Sequence, residues 1–244
     1  MHTLIPFAAA AGPQCQKALD GLTLPYLDQL LQRLVPEPVL QGKADALTPL
    51  HERISAQSAG LAGTDGLLPW AAHDAHIRGL TTLHGRDGWA WITPCHWTVH
   101  ADHVAMADPT HMSLTAEDYE TLWGAMQPYF AEDGITLFAH TLDHPTRSWL
   151  AHGTVFRDLP TASLDRVAGQ KVDSWMPRQA QAKTLRRLQN EMQMLLYTHP
   201  LNDERARFKL QSINSFWVSG TGTLADTGPG TALKIHDNLR TGAL

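Results

Sequence analysis

Residues 91–103 read WITPCHWTVHADH, with one cysteine, three histidines and an aspartate inside thirteen positions. As a helix, this stretch would put His96, His100 and His103 on one face and suggest a three-histidine zinc site. As a strand, it sends Cys95 and His96 to opposite faces and holds His96 and His100 about 13 Å apart, at roughly 3.3 Å per residue. One ion with bonds near about 2 Å does not span that gap. Trp, Thr, Val and Pro favour the extended chain, so Trp89–Val99 is predicted to be a strand. Pro94 cannot donate to a ladder and implies an edge or a bulge. A turn at residues 100–102 (HAD) and a short strand over Val104–Ala107 would complete a hairpin.

Working outward, SLTAEDYETLWGAMQPYF (113–130) is marked as a helix. Thr115 can cap it together with Asp118 three residues on, and Tyr119, Leu122, Trp123, Met126 and Phe130 make an apolar stripe. Gly134 ends it, and ITLF returns as a strand. Upstream, Thr3–Phe7 reads as a short buried strand. Leu24, Leu27, Leu30, Leu31 and Leu34 follow at helical spacing behind Pro25. Strand then helix suggests an α/β unit, and residues 36–66 read as loop. Downstream come a helix over Thr184–Tyr197, with Leu185, Leu188, Met192, Leu195 and Leu196 on one face, and INSFWVSGTG (213–222), a strand running into a glycine turn. The expected division is 1–85 as the first part of an α/β core, 86–158 as an inserted α+β domain, and 159–244 as a linker, a long helix and the return to the core.

The 19 basic and 24 acidic side chains give a formal charge of −5, which is the wrong sign for a nucleic-acid binder. Two cysteines make no disulfide framework, which points to a reducing cytoplasm. The opening MHTLIPFAAAAGP lacks the basic leader of a signal peptide, and no apolar run of about 20 residues suggests a membrane span. A cytoplasmic protein with no nucleic-acid or membrane partner is therefore expected.

Two groups of residues could carry chemistry. SGTGT, Ser219 to Thr223, could turn successive backbone N–H groups toward a phosphate, although most such turns are only turns. His73, Asp74, His76, His96 and His103, with Asp102 beside them, could gather a metal through tertiary contact, although hydrogen-bonded structural histidines are the plainer reading. Arg186, Arg187, Arg205 and Arg207 could meet an anion or simply face solvent. Ser163 in TASLDR reads as a helix start rather than a nucleophile.

Read end to end, the chain resembles cofactor-independent phosphoglycerate mutases of the archaeal type, in the alkaline phosphatase superfamily. It is more similar still to a bacterial group named after that mutase or after a regulator of pathogenicity factors. The stretch from Gly88 to Phe138 is similar to the mutase's inserted domain. LDRVAGQKVDSWMP (164–177) resembles a family element, and THPLNDERARFKLQSINSFWVSGTG (198–222) resembles its W-x-W-G-x-G signature, the most specific part of the match. TLIPFAAAAG with LTLPYLDQLLQRL resembles the family's first strand and helix. The resemblance implies an α/β, alkaline phosphatase-like core, expected to be incomplete at Leu244, with an inserted α+β domain. Ser219, Gly220, Thr221 and Gly222, with Asn214 and Arg205 in the same stretch, are the candidate ligand-binding residues.

The departures bear on activity. The family's phosphoryl transfer uses two divalent metals and a serine or threonine nucleophile, and its first strand ends in a metal-binding aspartate. Here Ala8–Ala11 carry only methyl groups, no serine lies in Gly66–Leu80, and the sequence stops 22 residues after Gly222. Two metals are what would activate the hydroxyl and neutralise the transferred phosphoryl group. The expectation is a catalytically degenerate mutase-like protein that binds a ligand, with a phosphorylated small molecule as the candidate, or regulates, without a cofactor. The alternative is a metal-dependent (zinc or manganese) phosphohydrolase or phosphomutase with a rebuilt His/Asp site. An exposed core edge would be covered by a partner, by a homodimer or by closure of the sheet by other means.

Overall fold

The computed structural model describes residue 4 and residues 13–35, 41–80, 87–138 and 148–224. It is mixed α/β, and its chain divides into two units, residues 1–43 and 44–244. The first unit holds helices α1 (Pro13–Leu19) and α2 (Pro25–Leu31). Pro25 sits in the first turn of α2, where its missing N–H costs nothing. The predicted leucine stripe is exposed at every position, from 41% at Leu27 to 56% at Leu31 and Leu34. Apart from residue 4, the strand predicted over Thr3–Phe7 lies outside the described residues.

The second unit is built on a four-stranded antiparallel sheet. Its strands are β1 (Gly88–Cys95), β4 (Thr136–Phe138), β5 (Trp149–Gly153) and β6 (Ser215–Gly222), in the order β4-β5-β1-β6. One face packs against α5 (Ala116–Glu132) and α7 (Ala182–Tyr197). There Ala90, Ile92, Trp149, Ala151, Phe216 and Val218 meet Leu122, Met126, Phe130, Leu188 and Met192. The other face carries Trp89 and Leu150 against Ala71, Ala72 and Ala75 of α4 (Trp70–Ile77). Small alanines let α4 approach closely. Covering both faces explains why β1, β5 and β6 are buried almost throughout instead of alternating between buried and exposed.

The predicted strand Trp89–Val99 is two strands, because the backbone breaks at His96. β2 (Trp97–Val99) leaves the main sheet and pairs with β3 (Val104–Met106) as the expected hairpin. Asn214 makes the break. Its Oδ1 accepts from the Trp97 N–H at 2.7 Å, and its Nδ2 donates to the Trp97 carbonyl at 2.9 Å. Pro94 pairs with Phe216, whereas the register with β5 runs only from Gly88 to Ile92. The proline is tolerated because it lies past the last pair with β5. β3 in turn bridges Ala168 and Lys171, so the hairpin leans on the chain after α6 (Leu164–Val167).

The α5 cap is as expected. Thr115 accepts from the Asp118 N–H at 3.0 Å while Asp118 accepts from the Thr115 N–H at 3.1 Å. Gly134 follows with φ near +70°, a conformation that suits glycine.

Two expectations are corrected. Residues 36–66 are not all loop, since α3 (Leu50–Ser58) lies inside them. Its only fully covered side chain is Ala56, so it has no apolar stripe to reveal it. Nor is Ser219–Gly222 a turn after the strand: β6 continues through it, with a bulge opposite Trp89 and Trp91. Gly220, at φ near +65°, lies against the Trp91 ring, where a Cβ would come within 2.8 Å. Among the described residues no helix is long and apolar enough to cross a membrane.

Candidate functional site

The start of α3 is held by the carboxylate of Asp65. It accepts from the N–H groups of Leu47 and Thr48 at 2.9 and 3.0 Å, and from Arg53 Nη2 at 2.5 Å. Burial pushes the Asp65 carboxyl up, but these bonds outweigh it and keep it below the usual carboxylate range. The first turn of α3 therefore sits at a defined place, with His51 and Glu52 on it. Across from it, Ser163 begins α6. Its N–H donates to the Leu47 carbonyl at 3.0 Å, and its hydroxyl accepts from the Asp165 N–H at 3.3 Å, the helix-start role expected of it.

Four side chains meet where these two helix starts converge. His51 Nε2 donates to Asp165 Oδ2 at 2.9 Å. The Ser163 hydroxyl donates to Glu52 Oε1. Burial pushes the Glu52 carboxyl up to about 7, which the Ser163 hydrogen bond only partly offsets, while the neighbouring Asp165 charge pushes the same way. His51 and Asp165 keep 18% and 31% of their side chains exposed and Glu52 is half-buried, so the cluster faces solvent. His51, Glu52 and Asp165 are the one group of three His, Cys, Asp or Glu among the described residues whose ligand atoms all lie within 4.8 Å of one another. A carboxyl with a pKa near neutrality beside a hydroxyl and an imidazole can exchange protons or hold a cation.

The metal candidates read from the sequence are spread out. His73 is buried in α4 with its ring edge-on to Trp70, and burial holds its imidazole below the usual range. Asp74 accepts from Arg78 Nε at 2.7 Å and from Trp91 Nε1 at 3.2 Å, and His76 is exposed on the same helix. His96 contacts the Ser212 carbonyl through Nδ1 at 2.8 Å. His103 donates to Asp102 at 2.7 Å and stacks on His100 at the hairpin tip. Their places in α4, at the strand break and at the hairpin tip do not gather them at one point. Cys95 is fully buried, and desolvation pushes its thiol far above the usual range.

Arg205, Thr221 and Asn214, among the ligand candidates, are engaged by the chain itself. Arg205, in α8 (Pro200–Arg207), is 2% exposed. It donates to Asp118 Oδ2 at 2.7 Å and to the carbonyls of Met112 and Gln211 at 2.5 and 2.9 Å. Thr221 is buried, its hydroxyl within 2.7 Å of the Leu159 carbonyl and 3.0 Å of Thr161 Oγ1. Ser219 is buried in the ladder opposite Trp91, between the strand break held by Asn214 and the close approaches at Gly220 and Gly222. Of the other arginines weighed for an anion, Arg186 donates to the Pro177 carbonyl, Arg187 pairs with Asp133 and Glu191, and Arg207 pairs with Glu204.

Among the described residues no second such cluster stands beside His51, Glu52 and Asp165, as the family's two-metal chemistry would need. The sequence reading missed the His51–Glu52 pair because its partners lie 111 and 114 positions away. The only local sign was the helix-start pattern at Ser163 and Asp165. No family model, curated protein or solved structure matches the chain.

Proposed function

We propose that the chain is a catalytically degenerate relative of the phosphoglycerate mutase-like proteins, built on an alkaline phosphatase-like scaffold and acting by binding, in a regulatory capacity, rather than by turnover. The observation that carries this reading is the internal engagement of the signature stretch. Arg205 spends its guanidinium on Asp118 and two carbonyls, Thr221 its hydroxyl on Leu159 and Thr161, and Asn214 its amide on Trp97. Donors that hold their own chain together are not available to orient a phosphoester. The methyl groups of Ala8–Ala11, where the family's first metal-binding aspartate would fall, agree with this. The test is a mutase assay on the purified full chain with added Mn2+, alongside thermal unfolding with saturating 2- or 3-phosphoglycerate. No turnover is expected. Turnover that survives controls for contaminating mutase sinks the reading. A ligand-dependent rise in Tm would identify the phosphorylated metabolite as the bound partner.

A second reading, a metal-dependent phosphohydrolase or phosphomutase with a rebuilt site, is favoured by one observation. His51, Glu52 and Asp165 stand together beside the Ser163 hydroxyl, although none of the residues first considered does so. Release of phosphate from an aryl phosphate ester, abolished in His51→Ala, would move the conclusion to it.

A further inference from the structure

We propose that His51, Glu52 and Asp165 form a binding site for one divalent transition-metal ion of the Zn2+ class, with Ser163 holding the Glu52 carboxylate. This inference rests on neither functional reading above, because a bound ion is compatible with binding or with turnover.

Three observations on the geometry support it. First, the donor set is one imidazole nitrogen and two carboxylates, which suits zinc better than the all-oxygen shells of calcium or magnesium. Second, the ligand atoms lie within 4.8 Å of one another, and His51 and Asp165 are already 2.9 Å apart. Metal–ligand bonds of about 2.0–2.2 Å set ligand atoms roughly 3–3.5 Å apart, so closure asks for side-chain movement of about an ångström. Third, the only hydrogen bond to Glu52 among the described residues comes from Ser163, which engages one carboxylate oxygen. Ser163 thus orients this half-buried carboxylate through one oxygen and leaves the other to serve as the ligand.

The seat is fixed before any ion arrives. Asp65 clamps the backbone of Leu47 and Thr48 ahead of α3, and the Ser163 N–H ties the start of α6 to Leu47. Ser163 acts on the ligand from behind, as hydrogen-bonding partners of metal carboxylates do. The partly exposed His51 and Asp165 leave an approach for the ion and an open position for water. The competing explanation is that the two pairs, His51–Asp165 and Ser163–Glu52, only brace α3 against α6.

The experiment uses the full chain, stripped with EDTA and dialysed, and then titrated with ZnCl2 by calorimetry. One Zn2+ per chain is expected, with a rise in Tm of roughly 5–10 °C at about 100 times Kd. Asp165→Asn and His51→Ala should each weaken binding at least ~10-fold, and Ser163→Ala should weaken it less. His73→Ala and His103→Ala should bind as the parent does. Cobalt substitution adds a readout that does not depend on variant stability: weak visible d–d bands without the intense thiolate absorption that a cysteine ligand would give. Failure of the parent to take up stoichiometric zinc overturns the proposal, as does parental affinity in Asp165→Asn. Loss of metal-free stability in His51→Ala with unchanged zinc affinity would establish the brace instead.

Discussion

Arg205 separates a structural role from a ligand-binding one, and its removal has a size that can be worked out. Its side chain is 2% exposed, and that of its carboxylate partner Asp118 is 15% exposed. Arg205→Ala leaves Asp118 without its cation and takes a donor from each of the Met112 and Gln211 carbonyls. Removing one partner of a buried ion pair costs about 3–5 kcal/mol, because the other charge stays desolvated. Asp118 also accepts from the Thr115 N–H, so some compensation exists and the lower half of that range is expected. For a chain of this length the loss corresponds to a drop in Tm of roughly 6–16 °C. Urea unfolding followed by tryptophan fluorescence measures it directly. Arg205→Lys should recover only part of the loss, since a single ammonium cannot reach three acceptors set around a planar fork. Asp118→Asn in the Arg205→Ala background should cost little more, because the two groups act as one unit. A stability within 1 kcal/mol of the parent for Arg205→Ala would refute the reasoning and return Arg205 to the ligand-binding candidates.

Three other measurements follow. Metal-free protein in EDTA should lose stability as pH rises from about 4.5 to about 7, because folded Glu52 keeps a proton that the unfolded chain has released. That contribution is roughly 3 kcal/mol, is fully present below pH 4.5, and is absent in Glu52→Gln; an unchanged pH slope in the variant would contradict the assignment. Gly88→Ala should be severely destabilising, since its Cβ would fall 2.2 Å from the Arg157 nitrogen, whereas Gly134→Ala, facing open space at positive φ, should cost only about 1 kcal/mol. Equal melting temperatures for the two variants would show that β1 can shift. Thr221→Val keeps the shape but leaves the Leu159 carbonyl without its hydroxyl donor, so a loss of about 1–3 kcal/mol is expected by chemical denaturation, and a neutral result would count against that bond.

The parts of the fold that were legible are those whose causes are local. Thr115 with Asp118, four apolar residues at 3–4 spacing behind them and Gly134 beyond are a complete description of α5, and the helix is found there. The same holds for α7, where Leu185, Leu188, Met192 and Leu196 are all buried. α3 failed the same test, because LHERISAQS buries only Ala56 and its start is fixed by Asp65, a residue outside the helix. The break at His96 was equally hidden. Trp, Thr and Val on either side are good strand residues, and what parts them is Asn214, whose amide reaches the backbone from 117 positions away. The glycines of SGTG suggested a turn by composition, yet their use is to let β6 pass the Trp91 ring and α4.

The candidate site shows the same division more sharply. Histidine density drew attention to residues 96–103, but density along a chain measures nothing about convergence. In an extended chain, neighbours in sequence point apart, so His96 reaches Ser212 while His103 turns to Asp102. Convergence came instead from two short helices that each start at a fixed point. A helix start brings successive side chains to one end of a rigid element, and its exposed N–H groups favour carboxylates there. Putting two such starts face to face places Glu52 and Asp165 close together, at an electrostatic cost unless something positive or a proton lies between them. His51 answers Asp165, and Ser163 answers one oxygen of Glu52. Three possible ligand atoms converge there within 4.8 Å, and this is why the cluster, rather than the histidine-rich strand, is the place to look for a bound cation.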